Sequence, residues 1–187
     1  MSHITYLNNF VDNSIETLNK LRKSGVKSEF SFNIKSTDLE DFNSTDIRNS
    51  AKFVELFDQL KCITGPVLYW IEIISDIERG DIVSALKQYK ELNTSKATPA
   101  LKSTIDYNST ILYVGKVKGT FWGRLIQHMG YFKNTKTQGL QLYHWSTDLP
   151  LTLTFHVLEF EPEMANLMSI IEYAFAQEFK PLIGKHK

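Results

Sequence analysis

Apolar residues recur three and four positions apart at Ile4, Leu7, Phe10, Val11, Ile15, Leu18 and Leu21, which predicts an amphipathic helix over residues 1 to about 24, closed by Gly25. Such a helix suits packing or dimerisation. The next stretch, Lys27 to Asn49, is rich in Ser, Thr, Asp and Asn, and its short alternating run Phe30-Ser31-Phe32-Asn33-Ile34 reads as an edge strand. A helix is expected from Thr45 to Leu60. Gly65-Pro66 then breaks the chain, and Val67-Leu68-Tyr69-Trp70-Ile71-Glu72-Ile73-Ile74 is dense enough in β-branched and aromatic residues to be the first strand of the main sheet. Helical spacing follows over 76–92 and a proline-containing polar loop runs to Ser109. A second strand is expected at Thr110 to Lys116, a helix at Phe121 to Gly130 and a third strand at Leu151 to Leu158. Pro162 opens a long helix to about Phe179.

The order strand, helix, strand, helix, strand, helix predicts an α/β (α+β) fold: a small three-stranded central sheet flanked by helices. Residues 1–64 are expected to form an N-terminal helical extension, and 65–187 the main domain, with a helical insert at about 76–109 between its first two strands.

Composition narrows the function classes. Hydrophobic residues make up 42% and charged residues 22% of the chain, so it has enough apolar surface to fold. No run of about 18 apolar residues and no leader-like start is present, which predicts a soluble, cytoplasmic protein without a membrane partner. The single cysteine, Cys62, excludes an intrachain disulfide and a thiolate zinc cage, and is expected to be a small buried residue. Formal net charge is zero, which argues against coating nucleic acid by bulk attraction. Between Tyr107 and Thr147, however, Lys116, Lys118, Arg124, Lys133 and Lys136 occur with no acidic residue, and a locally positive face is expected there.

The chemistry-bearing residues lie in the same part of the chain. Arg124 and His128 are one helical turn apart, on the arc opposite Phe121, Trp122, Leu125, Ile126 and Met129, and so are expected on an exposed face where both address one ligand. A guanidinium donates two parallel hydrogen bonds to a phosphate, and an imidazole moves a proton near neutral pH. Glu172 falls within the apolar arc of the last helix, near its edge, where a carboxylate must be paired, protonated or bound to a metal. Glu178 shares that arc but lies in the fraying final turns. Gly115, inside a strand, marks a place where the backbone must approach something closely. His144 and Trp145 precede the third strand, and His144 is a candidate base or phosphate contact; Gly184-Lys185-His186-Lys187 reads as a basic tail.

In order, Leu68-Tyr69, Tyr113-Val114-Gly115, Arg124-x-x-x-His128, and Glu172 nine residues before Pro181 resemble the signatures of the GIY-YIG nuclease family. Val67 stands where the first signature has Gly, and Gly184 where Asn is usual after the final turn. The resemblance covers roughly residues 65 to 187 apart from the insert. It implies a metal-dependent endonuclease using one Mg2+ (or Mn2+) ion on DNA, double-stranded by expectation, in a restriction or mobile-element setting, with a homodimer among its possible states. It further implies that Glu172 holds the ion, Arg124 binds the scissile phosphate, and Tyr69 or Tyr113 activates or orients water, with His128 as a proton relay. Gly115, Lys116, Lys118 and His144 would contact substrate, and Lys116 or Lys118 would depress a tyrosine pKa. The N-terminal helices and the insert would supply recognition or dimer contacts. A catalytically inactive nucleic-acid-binding module of the same fold is the alternative.

Overall fold

The computed structural model describes residues 3–184, so Lys185, His186 and Lys187 of the expected basic tail lie outside the described residues. The fold is α+β. Its sheet has four strands rather than three, in the order β1-β4-β2-β3: β1 (Ser28–Lys35), β2 (Val67–Ile73), β3 (Ile111–Val117) and β4 (Thr152–Glu159). The additional strand is the edge strand expected at Phe30–Ile34. It pairs with β4 along its whole length, because its alternating Phe30, Phe32 and Ile34 share one face and Phe32 stacks on Phe155, with ring centroids 5.1 Å apart. The segment before residue 65, read as a helical extension, thus contributes a strand to the main sheet.

All neighbouring strands run antiparallel. An alternation of strands and helices usually makes parallel crossovers. Here the long connection from β2 to β3 leaves and re-enters at the same end of the sheet, where the Ile73 amide donates to the Thr110 carbonyl at 2.8 Å. That connection carries α3 (Arg79–Glu91). The sequence-predicted helix from Thr45 to Leu60 divides into a 3-10 turn, Ile47–Asn49, and α2 (Val54–Lys61). The cause is local: the Asp46 carboxylate accepts the Arg48 amide and caps the short turn, a side-chain alternative to helix hydrogen bonding. The last helix is likewise broken, into a 3-10 segment Pro162–Asn166 and α6 (Met168–Phe179).

The two faces of the sheet are buried by different elements. One faces α2, α3, α4 (Phe121–Met129) and α5 (Leu142–Trp145), with Phe57, Tyr69, Phe121, Leu125 and Phe155 completely buried between them. The other faces α6, with Leu68, Val114, Met164 and Met168 as its core. Each such side chain contributes about 1.5–3 kcal/mol relative to leaving it in water. β2 is central and buried on both faces, whereas β1 and β4 alternate.

Helix α1 (His3–Ser24) carries the expected apolar stripe but none of its residues is buried; only Leu21, near its C-terminal end, packs against the α6-side core. Cys62 is exposed, correcting the expectation of a buried thiol: it follows α2 on the solvent side, with Sγ donating to the Asp58 carbonyl at 3.6 Å. No helix among the described residues is long and apolar enough to cross a membrane.

Candidate functional site

The β-sheet register places the first components. Tyr69 on β2 lies opposite Gly115 on β3, and Ile71 opposite Tyr113, so Tyr69, Tyr113 and Gly115 project toward the α4 face. Gly115 leaves the room the phenols occupy. A Cβ there would lie 2.5 Å from Tyr69 Oη and 2.6 Å from Tyr113 Cε1, which meets the expectation of a close approach at this glycine. The two tyrosine rings sit 6.1 Å apart, and Phe121 packs 5.2 Å from Tyr69.

Helix α4 supplies the second layer. His128 is completely buried, not exposed as the helical wheel predicted, and Arg124 is partly buried. The arc opposite the apolar stripe is covered because the sheet and the loop after α4 close over it. His128 Nε2 lies 2.7 Å from Tyr69 Oη, and Arg124 Nε donates to that oxygen at 3.1 Å. The loop holds both side chains from outside. The Gln138 carbonyl accepts from Arg124 Nη1, and the Leu140 amide donates to His128 Nδ1 at 3.2 Å. Gly139 permits the loop to lie this close, since a Cβ at that position would stand 2.3 Å from the Gln127 carbonyl oxygen. Gln127 Oε1 accepts from Arg124 Nη1 at 2.8 Å.

These bonds decide the histidine tautomer. A backbone N–H can only donate, so Nδ1 must present its lone pair to Leu140 and the ring proton of the neutral imidazole resides on Nε2. His128 is then a donor to Tyr69. Burial, followed by the charge of Arg124, drives its pKa well below 6.5, so it is neutral. The expected proton relay is therefore corrected: Nε2 already carries a proton and cannot take another from Tyr69.

The tyrosine acidities are also corrected. Burial raises the pKa of both phenols; Tyr113 and the nearby Glu172 charge push Tyr69 the same way, while Arg124 opposes. Lys116, expected to lower a phenol, instead faces the α6 side and pairs with Glu172, with Nζ 3.6 Å from Oε2. Glu172 is largely covered, at 16% side-chain exposure, whereas Glu178 is exposed, in keeping with the preference for Glu172. The Glu172 charge acts on both Tyr69 and Tyr113, so it shares their electrostatic environment although α6 covers the opposite sheet face.

The remaining predicted residues separate from this cluster. Lys118 is exposed at the end of β3. His144 lies in an aromatic group, stacked on Tyr89 at 5.8 Å and edge-on to Phe42 at 5.4 Å, with Nε2 at 3.2 Å from the Gly130 carbonyl. The insert reaches the same group: buried Lys96 donates to the Gly130 and Phe132 carbonyls at 2.8 and 3.0 Å, and the Gly139 amide bonds the Ala97 carbonyl at 3.2 Å. It thereby braces the loop that holds Arg124 and His128.

Gln127, Gln138 and Leu140 are site residues that sequence reasoning missed. Two act through the backbone, which leaves no signal in residue type; Gly139 was the only available clue. The chain after α6 runs beside β3 next to Tyr113, where the Ile183 amide bonds the Leu112 carbonyl at 3.0 Å and Gly184, at φ 135°, bonds Ala100.

Among the described residues no three His, Cys, Asp or Glu side chains converge as a metal cage. Glu172, whose charge acts on both tyrosines, is paired with Lys116. Comparisons with family models, with curated proteins and with solved structures found no match to this chain, so the GIY-YIG resemblance rests on its own residues.

Proposed function

We propose that the chain is a metal-dependent endonuclease that hydrolyses DNA phosphodiester bonds. The observation that carries this reading is the convergence on Tyr69 Oη of Arg124 Nε and His128 Nε2, beside Tyr113 and within the field of Glu172. A structural core has little use for an arginine and a histidine on one buried phenol, whereas a phosphate site needs a cation fixed in direction.

The side chains divide the work. Arg124 is held by Tyr69 through Nε, by Gln127 and Gln138 through Nη1, and by the Tyr113 side chain, so its guanidinium is fixed in direction to receive a scissile phosphate. Tyr69, completely buried and accepting from both neighbours, is a positioning residue, and His128 fixes it in turn. Tyr113, at 9% exposure against 0% for Tyr69, is the phenol accessible to the attacking water. Its high pKa makes it a group that orients water rather than a standing phenolate base. The water oxygen bonds to phosphorus as the ester P–O bond breaks, and the proton that the water gives up ends, through solvent, on the departing alkoxide. An ion held by Glu172 would supply charge stabilisation at that leaving oxygen.

The test is cleavage of supercoiled plasmid and of generic single strands in Mg2+ or Mn2+, in EDTA, and by Glu172→Ala. Metal-dependent cutting that the variant loses while remaining folded supports the reading. The second reading, a non-catalytic nucleic-acid-binding module, is favoured by the Lys116–Glu172 ion pair and the raised tyrosine pKa values. DNA binding equal in both proteins, with no cutting under any condition, would establish it instead. The exposed apolar stripe of α1 suits a second copy of the chain, and sedimentation of wild type against Leu7→Lys distinguishes a homodimer from a monomer.

A further inference from the structure

A cleft of about 730 Å3 opens on the outer side of α4, next to Arg124. Its walls come from two segments distant in sequence: residues 42–48, and α4 with the start of the following loop. Nearby aromatic rings are largely committed to one another: Phe42 contacts Tyr131, Tyr143 and His144, and Lys96 Nζ sits 3.8 Å over its ring. Trp122 and Phe132, which also line the cleft, have no ring partner among the described residues, and Phe132 is 39% exposed. The Trp122 indole N–H is also without a hydrogen-bond partner among them. Of the two cations in the walls, Arg48 is neutralised by a two-point contact with Asp46, at 2.9 and 2.7 Å. Lys133 is exposed, with no ion-pair partner among the described residues.

Gln127 joins this cleft to the phosphate site. Its Oε1 is committed to Arg124, which fixes the orientation of the amide and makes the Nε2 end the free one: two N–H donors without a partner among the described residues, on a residue that lines the cleft. Aromatic rings without a ring partner, a free lysine and a fixed pair of donors match a flat heteroaromatic group with acceptor atoms at its edge, attached to an anion. An apolar peptide would leave the Gln127 amide and Lys133 unused.

We propose that this cleft receives an unstacked nucleobase of the strand whose phosphate Arg124 holds, with the ring against Trp122 and Phe132 and its acceptor edge toward Gln127. The proposal rests on the phosphodiester reading of the Arg124 site. It makes Gln127 both a brace for Arg124 and a reader of the neighbouring base, and Lys133 a contact to an adjacent phosphate.

The experiment uses short single-stranded oligodeoxynucleotides carrying 2-aminopurine at one position at a time, bound to the full chain in EDTA so that cleavage plays no part. Stacking in the cleft quenches the probe at one or two adjacent positions. Phe132→Ala and Trp122→Leu, each checked by circular dichroism, should abolish the quench and weaken binding roughly tenfold, the scale of one lost stacking ring. Gln127→Glu, which replaces the donors with a carboxylate yet still accepts from Arg124, should weaken binding to a similar degree. Binding that is unquenched at every position and equal in all variants overturns the proposal. So does plasmid cleavage by a wild-type protein that binds no oligonucleotide, an outcome that leaves the nuclease reading standing. Conversely, position-specific quenching that the variants lose, without cleavage of plasmid, supports the cleft and overturns the nuclease reading alone.

Discussion

Gly115 lies opposite Tyr69 in the β2–β3 pairing, and the space a side chain would occupy there is filled by the Tyr69 hydroxyl and the Tyr113 ring. The glycine is thus a structural requirement of the tyrosine pair. Gly115→Ala would set a methyl group 2.5 Å from Tyr69 Oη and force both phenols to move, at a cost of about 1–3 kcal/mol for overpacking. Because Tyr69 anchors Arg124, cleavage should fall by roughly 100-fold or more, as it does when a catalytic group is misplaced by about an ångström. Gly80→Ala is the control: nothing stands within 4 Å of its Cβ, and in helix α3 the change should be neutral or slightly stabilising. Thermal melts and plasmid cleavage of both variants check this pair of expectations.

The legibility of the site followed the same division between side chain and backbone. That Tyr69, Tyr113, Arg124 and His128 lie together was suggested by the resemblance and by the Arg-x-x-x-His spacing, and the close approach at Gly115 by a glycine inside a strand. What the helical wheel misjudged was the side on which His128 is covered. Periodicity reports only how apolar an arc is, and a polar arc sealed by a phenol and a loop amide is indistinguishable from one facing water. The sheet was legible strand by strand, whereas its antiparallel pairing depends on where the β2–β3 connection re-enters, a tertiary fact. The broken helix at 45–60 turned on the Asp46 cap, a short-range competition that apolar spacing does not register.

The His128 tautomer predicts a pH effect on stability. The folded pKa lies below the ordinary 6.5, so the unfolded chain binds the proton more readily. The contribution of His128 is complete above about pH 6.5 and is lost progressively as pH falls below it. His144, also lowered chiefly by burial, acts in the same direction. Urea denaturation of wild type should lose stability between pH 7 and pH 5 at up to about 1.4 kcal/mol per pH unit for each proton involved. His128→Gln should be less stable at pH 7 and show a shallower dependence. An unchanged slope in the variant would place the titration elsewhere.

Glu159 provides a second, independent pH signature. It is buried at the end of β4, and burial opposes its ionisation. Hydrogen bonds from Lys27, the Gly65 amide, Ser28 and the Thr64 amide outweigh that effect and hold its pKa at about 2, against an ordinary 4.5. The folded value is depressed, so the stabilisation is present above about pH 4.5 and disappears as pH falls toward about 2. The difference corresponds to about 3 kcal/mol. Glu159→Gln should therefore destabilise the protein by about 2–3 kcal/mol at pH 7, with the gap to wild type roughly halved near pH 3. Chemical denaturation at the two pH values measures it, and an equal gap at both would contradict the assigned acidity.

Lys116 stands where a metal ion would compete with it. Its ammonium lies 3.6 Å from Glu172 Oε2, with side chains 27% and 16% exposed, so an ion binding that carboxylate must displace or share it. Lys116→Met keeps the length and apolar stem of the side chain and removes the charge. Mn2+ should then bind in the absence of DNA with a midpoint roughly three- to tenfold lower, the range expected of one partly covered ion pair. Working without DNA separates this effect from any phosphate contact Lys116 makes, because a lost phosphate contact would appear only as weaker DNA binding. Calorimetric titration of wild type, Lys116→Met and Glu172→Ala gives two distinct outcomes. Tighter binding in the first variant together with none in the second assigns the ion to Glu172. Equal Mn2+ binding in all three places the ion away from that carboxylate, and the Lys116–Glu172 pair is then a structural contact between β3 and α6.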